Sequence, residues 1–352
     1  MARKFGVQVT GLIAPIIREG DNLAKIVVDT VLNSGIKIED WDIIGITESV
    51  VARAQGNYVT IDEVAENIKR VLSNPKSIYL YAPIYSRNRF AMILKAFARA
   101  VEEKIFIYMP DKDEVGNVRE NHPFTGLDYG EYYKSIVESE GKKCQLDFEN
   151  DTICDDKDTF FIDCRLHLPE DITSGYWTLK DFCRDKCDWG LLGSNKASEE
   201  RLKLFPSYCY AQDLVEYIAD KIYDKTGKQV EVMIYGDGCF KDPIGCIWEF
   251  ADPCVSPAYT QGLVGTPNEV KLKNMADEKY ATLRGKELEN AIKQDINDKD
   301  NNLKGKMVSQ GTTPRRYVDL LGSLMDLTSG SGDKGTPIVY VKGYFDNFAT
   351  EK

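Results

Sequence analysis

Histidine is nearly missing from this chain: 352 residues hold two, His122 and His167. Both sit in uninformative settings. A Ser-His-Asp arrangement is therefore unpersuasive, and a cysteine nucleophile has no partner histidine nearby in sequence. Positive charge is also short. Lys and Arg number 45 against 56 Asp and Glu, a net charge of −11. Phosphate backbones and anionic membrane surfaces need a basic face, so nucleic acid and membrane surfaces are not expected as general partners. A small anionic substrate held by a few arginines stays open. No apolar run reaches the ~18 residues of a membrane span. The opening MARKFGVQVTG has no apolar signal core and enters a strand-like pattern at once. The cytosol is the expected location. The nine cysteines are an odd number in a large chain, which favours reduced thiols over a disulfide framework. Cys239, Cys246 and Cys254 are spaced too widely for a zinc knuckle.

What is present is ordinary in amount and specific in arrangement. The apolar share is 43% and the charged share 29%, those of a globular protein long enough for two domains. Val7–Ile13 reads as a strand and residues 14–21 as the turn after it. Asp21 or Gly20 can cap a helix that puts Leu23, Ile26, Val27 and Val31 on one face and stops at Gly35. Trp41–Thr47 is a buried strand that runs into Glu48–Gly56, where Arg53 is the only strong cation. Asp62–Leu72 is an amphipathic helix. Ser77–Ala82, Arg87–Glu102 and Lys104–Tyr108 read strand, helix, strand, an order that favours a parallel sheet with a crossover. Met109–Gly130 is loop-rich, Tyr132–Glu140 helical, and Phe160–Cys164 a further strand. Trp189–Asn195 is a glycine-punctuated turn. Ala211–Thr226 is a helix ended by Gly227. Glu269–Leu288 reads as a charged helix, Gln294–Gln310 as a mobile loop, Pro314–Leu327 as a helix and Ile338–Lys342 as the closing strand.

The densest chemistry lies in Tyr235–Pro257, YGDGCFKDPIGCIWEFADPCVSP. It follows the apolar strand Val230–Tyr235 and carries Asp237, Asp242, Glu249 and Asp252 among prolines and glycines. Carboxylates at the carboxyl end of a buried strand are where α/β proteins place ligands and metals. The plainer reading is a packed surface loop with solvated acids. Ser329–Gly335, SGSGDKG, offers Gly330, Gly332, Gly335, Asp333 and Lys334 between a helix and a strand, and such backbone can present N–H groups to phosphate. It is not a P-loop, whose G-x-x-x-x-G-K-S/T order is absent, and most such loops are plain turns. Together the two loops make a stronger case. Nucleotide phosphates bring a divalent ion usually held by one or two carboxylates, and Asp237, beside Gly238 at the strand end, is the best-placed ligand. Arg18, Arg53, Arg315 and Arg316 are available to clamp anions, although each alone reads as surface charge.

In this order the pieces resemble the coenzyme F420-0:L-glutamate ligase family, the gamma-glutamyl ligases. GLIAPIIREGDNLA looks like the family's first nucleotide-contacting turn and helix, which places Pro15 and Ile16 at the nucleotide. DIIGITESVVARAQG is similar to its strand-and-loop pattern DGDVLVVTSKIVSKAEG. By that match Glu48 and Ser49 take nucleotide-contacting positions and Arg53 stands on a lysine. GLLGSN resembles GVDxSN, keeping Asn195 but replacing a metal-binding aspartate by Leu192. Either one metal site is lost, or a carboxylate elsewhere substitutes, with Asp188, Asp242, Glu249 and Asp252 as the candidates. TGKQVEVMIYGDG resembles the strand leading to a metal-binding aspartate, here Asp237. Residues 7–60, about 186–245 and 315–343 align, and residues 76–185 have no counterpart placed with assurance.

The resemblance implies a mixed α/β, two-domain fold: residues 1–75 and 186–352 as a ligase-like core, residues 76–185 as an inserted or diverged α/β region. It implies an amide-forming ligase that uses GTP (or ATP) and Mg²⁺ or Mn²⁺ to add L-glutamate to an anionic acceptor, working as a homodimer. Gln294–Gln310 is the expected lid. The rival reading is a nucleotide-binding regulatory or assembly protein on the same fold, favoured by Leu192. A third makes the middle region, with Tyr79, Tyr81 and Tyr85, a partner-binding module, although core packing explains those tyrosines equally well.

Overall fold

Two five-stranded sheets carry the chain, and separate hydrophobic clusters pack around each. The computed structural model describes residues 5–85, 88–114, 116–122, 125–149, 158–165, 176–236, 240–241, 248–249, 256–303, 316–329 and 333–350. In chain order, the first part runs β1 (Gln8–Leu12), α1 (Leu23–Asn33), β2 (Ile43–Thr47), α2 (Glu48–Gln55), β3 (Tyr58–Thr60) and α3 (Ile61–Leu72). The middle runs β4 (Ser77–Tyr81), α4 (Asn88–Ala100), β5 (Lys104–Tyr108), α5 (Tyr129–Ser139), β6 (Lys143–Asp147), β7 (Thr159–Asp163) and β8 (Trp177–Thr178). Next come β9 (Asn195–Ser198), β10 (Arg201–Lys203), α6 (Tyr208–Thr226) and β11 (Glu231–Tyr235). The last part holds the two-residue strands β12 (Phe240–Lys241), β13 (Trp248–Glu249) and β14 (Ala258–Tyr259), then α7 (Leu272–Asn274), α8 (Gly285–Asn297), α9 (Tyr317–Ser329) and β15 (Ile338–Lys342). The mixed α/β class predicted from the sequence is the class observed.

The first sheet has the order β1-β15-β2-β11-β14, with β2 and β11 parallel and the other neighbours antiparallel. Its central strands are covered on both faces, which is why their sequences are nearly unbroken apolar runs. The period of two sorts their side chains. Ile44, Ile46, Val232, Ile234, Ile338 and Tyr340 face α1 and α6, against Val27, Val31, Ile218 and Ile222. Ile43, Met233, Val339 and Val341 face α9, against Leu321 and Met325. Gly45 leaves a gap in β2 on that second face: a Cβ there would stand 2.1 Å from the Met325 sulfur.

The second sheet, β6-β5-β4-β7-β8, is parallel throughout, in keeping with its helical crossovers. Its core extends beyond its own strands. It takes in α3 through Val64, Ile68 and Leu72, and the stretch from Leu191 to Phe205. A small antiparallel sheet, β3-β10-β9, joins the two bodies.

Several local expectations are corrected. Asn22 caps α1, its Oδ1 accepting from the Lys25 N–H at 3.0 Å, while Asp21 accepts from the Arg18 N–H and closes the preceding turn. Glu48–Gly56, matched to a strand-and-loop pattern, is a helix closed by left-handed Gly56. β9 and β10 have no counterpart among the elements expected from the sequence. Glu269–Leu288 is not one helix: α7 and a π-helical turn at Met275–Lys279 precede α8, which starts at Gly285. α8 continues to Asn297 because Ile292 and Ile296 bury one face against Met275. The expected lid is therefore helical in its first residues, and its part at 304–310 lies outside the described residues.

Candidate functional site

The end of the first sheet gathers four separate chain segments. At the carboxyl end of β2, Thr47 is paired with Tyr235, the last residue of β11. On the other side Ile46 is paired with Ile338, the first residue of β15, and the Thr47 N–H donates to the Pro337 carbonyl at 3.0 Å. The Ala14 N–H donates to the Gly335 carbonyl, also at 3.0 Å. The Thr336 hydroxyl donates to the Ser329 carbonyl at 2.8 Å and closes the base of the glycine-rich loop. The turn after β1, the start of α2, the end of β11 and the loop before β15 thus share one edge.

The predicted residues sort clearly along this edge. Pro15 and Ile16 stand exposed beside Gly335, Ile16 with 81% of its surface open. Asp333, Lys334 and Gly335 are exposed, and Gly335 is left-handed with φ 66°. Gly330 and Gly332 lie outside the described residues, as do Asp237 and Gly238. Residues 330–335 carry the spacing G-x-G-x-x-G, but α9 precedes them and β15 follows. That reverses the strand–turn–helix order of a dinucleotide-binding turn. Glu48 and Ser49 open α2, Glu48 buried and Ser49 exposed. Arg53 lies four residues on, on the face of Ser49 and a turn farther from the edge, exposed to solvent. Arg316 is taken by Asp319, at 2.6 and 2.8 Å.

One residue that sequence reasoning missed ties the site together. Lys203, the last residue of β10, places its Nζ 2.7 and 2.6 Å from the two oxygens of Glu48. The side chains are 9% and 3% exposed. Lys203 is also the cross-strand partner of Asn195 in β9. Glu48 and Asn195, far apart in sequence, are thereby brought to one place. The geometry is pinned from behind. The Gln55 amide both donates to the Ser207 hydroxyl at 2.7 Å and accepts from the Ser207 N–H at 3.1 Å. The Asn57 amide donates to the carbonyls of Phe205 and Lys186, at 2.6 and 3.1 Å. No local signal marks Lys203: between Leu202 and Leu204 it reads as the outward residue of an alternating strand.

Leu192 lies 3% exposed inside the apolar cluster around the second sheet, on the 3-10 turn Gly190–Gly193. Of the carboxylates offered as substitutes for it, Asp188 is exposed and accepts from the Tyr208 N–H at the start of α6, at 3.3 Å. Asp242, Asp252 and the Glu249 side chain lie outside the described residues. Burial pushes the nearby thiols of Cys183 and Cys187 up to about 12 and about 11, so neither is a ready nucleophile.

Fold and edge together define a mixed α/β protein that gathers four chain segments at one end of its first sheet. The family model for F420-0:Gamma-glutamyl ligase matches residues 11–343, and the chain belongs to that family. A curated protein of Methanocaldococcus jannaschii, described as uncharacterized, is 32% identical over 71 residues. That match spans 20% of this chain and 24% of the relative, so it covers about a quarter of the relative's length. The metal that the sequence resemblance implies can be set against the residues present. Among the described residues no group of three or more His, Cys, Asp or Glu is placed to hold an ion. The buried carboxylate that the described residues place at the rim, Glu48, is gripped by Lys203.

Proposed function

We propose that this chain is an amide-forming ligase that adds L-glutamate to an acceptor carboxylate at the expense of a nucleotide triphosphate. In the reaction the acceptor carboxylate attacks the γ-phosphorus of GTP, or ATP, and the diphosphate leaves. The glutamate amine then attacks the acyl carbon, expels phosphate and leaves an amide after losing a proton. Such chemistry asks the protein mainly for positioning and charge stabilisation. The reading assigns Pro15, Ile16, Glu48, Ser49, Asn195 and the loop Gly330, Gly332, Asp333, Lys334 and Gly335 to the nucleotide. Arg53 belongs to the nucleotide set as well and faces the anionic acceptor, and Arg53 and Asp237 are the residues assigned to catalysis. Mg²⁺ or Mn²⁺ would come with the nucleotide, with Asp237 beside Gly238 as the protein's ligand. We further propose that the chain acts as a cytosolic homodimer.

The observation that supports this most is the meeting of the Ala14, Thr47, Tyr235 and Gly335 segments at one sheet end, in a chain of this family. The test is a melting series with GTP and with ATP, each with and without Mn²⁺, followed by phosphate release on adding a carboxylate acceptor and glutamate. A metal-dependent rise in melting temperature that Asp237→Asn removes is the expected result. Asp237→Asn protein that binds nucleotide and metal unchanged would refute the metal assignment. The buried Leu192 favours a second reading, nucleotide binding without ligation. Nucleotide stabilisation with no acceptor-dependent phosphate release would decide for it.

A further inference from the structure

Among the described residues Lys203 is the only lysine or arginine that is buried. Buried ion pairs contribute little net stability, because desolvating both charges offsets most of their attraction, and apolar pairs of like volume often serve as well or better. The Lys203–Glu48 pair therefore needs another reason to sit where it does. Its location supplies one. Glu48 opens α2 directly beyond β2, and Thr47 before it is bonded to the loop side through Pro337 and to the β11 side through Tyr235. Lys203 arrives from the opposite body, anchored by Leu202 and Leu204, both fully buried. Its ammonium is fixed before any ligand arrives, so little side-chain entropy is left to lose. The two Glu48 contacts use two of its three N–H donors.

We propose that Lys203 is a phosphate-facing cation of the nucleotide site and that Glu48, assigned above to the nucleotide, serves it through Lys203, as the positioning residue that holds the ammonium there. The proposal rests on the nucleotide-dependent reading above. A lysine binds phosphate as a point charge, and one held rigidly at low exposure is screened less than the exposed Lys334 and Arg53. Losing a charge-assisted contact to phosphate weakens binding by about tenfold or more.

The test separates this role from a structural one. The probes are GTP and ATP with Mn²⁺, and the readouts are melting temperature and dissociation constant. K203M leaves Glu48 buried without its partner and should lower the melting temperature. K203M/E48L replaces the pair by apolar side chains and should regain that stability while binding nucleotide about tenfold or more weakly than wild type. A double variant that regains both stability and wild-type affinity overturns the proposal. K203R and K203Q, compared at a temperature where both are folded, give a second arm that does not depend on that rescue. K203R should keep most of the affinity and K203Q should lose it, and equal binding by the two overturns the proposal. Wild-type protein that neither nucleotide stabilises removes the underlying reading, and this inference with it.

Discussion

Gly190 and Gly227 are both left-handed, at φ 53° and φ 69°, yet replacing them should have different consequences. Gly227 closes α6, and a Cβ added there would meet nothing within 4 Å. Only the conformational penalty applies, about 1 kcal/mol for Gly227→Ala. At Gly190 the same atom would stand 2.5 Å from the Phe182 carbonyl oxygen and 2.6 Å from that of Lys180, both backbone. Backbone cannot swing aside as a methionine tip can. Gly190→Ala should therefore cost about 2–4 kcal/mol in urea denaturation, and a cost no larger than that of Gly227→Ala would show that the turn leading to Asn195 gives way easily. The same residue scale shows what at the candidate site is legible in the sequence and what is not. Glu48 and Asn195 can be named because they sit in stretches that resemble a family pattern. Lys203 cannot, because its importance comes from a partner 155 residues away in sequence, and nothing local distinguishes it from a solvated strand lysine.

Elements are legible where one physical rule acts alone. β2, β11 and β15 are covered on both faces, so their apolar runs stand out, and the sequence reading of β15 at Ile338–Lys342 is its observed range. α3 combines a clean amphipathic stripe with a capping box. The Thr60 hydroxyl accepts from the Glu63 N–H at 3.1 Å, and the Glu63 carboxylate accepts from the Thr60 N–H at 2.6 Å. β10 escapes notice because a three-residue strand with a single apolar side chain on its alternate face carries no period to read. α7 and α8 merge in the sequence because charge is plentiful throughout Glu269–Leu288 and the break at Gly285 is a backbone event. The capping box of α3 also makes a pH prediction. Hydrogen bonding by the Thr60 N–H holds the Glu63 carboxyl below its ordinary 4.5 in the folded chain. A group with a depressed folded value stabilises fully above its unfolded value, and that stabilisation is lost as pH falls through the folded one. Denaturation midpoints should therefore fall from about pH 5 to about pH 3, and less steeply in Glu63→Gln, which keeps an acceptor oxygen without the charge. Parallel curves for the two proteins would remove the cap from the acid-sensitive groups.

At the scale of the molecule, two hydrophobic bodies meet across a polar joint. One holds the second sheet with α3 and the Leu191–Phe205 stretch, and the other packs α1 and α6 on the first sheet. Between them run the Lys203–Glu48 pair, the Gln55–Ser207 bonds and the Asn57 bonds to Phe205 and Lys186. Polar joints couple weakly, so each body has the means to unfold by itself. Calorimetry of the ligand-free chain should resolve two overlapping transitions. Phe97→Ala, deleting a fully buried ring beside the second sheet at about 3–5 kcal/mol, should lower one of them. Ile222→Ala, on α6 against the first sheet, at about 2–5 kcal/mol, should lower the other. A single transition moved by both variants would mean that the joint is stronger than its polar contacts suggest. Nucleotide sharpens the experiment. A ligand seated across the joint binds only the joined form and should draw the two transitions together, because stabilisation follows what the ligand touches in the native state. A nucleotide that raises only the Ile222-sensitive transition would touch the first sheet alone, and the Lys203 side of the joint would then lie outside the site.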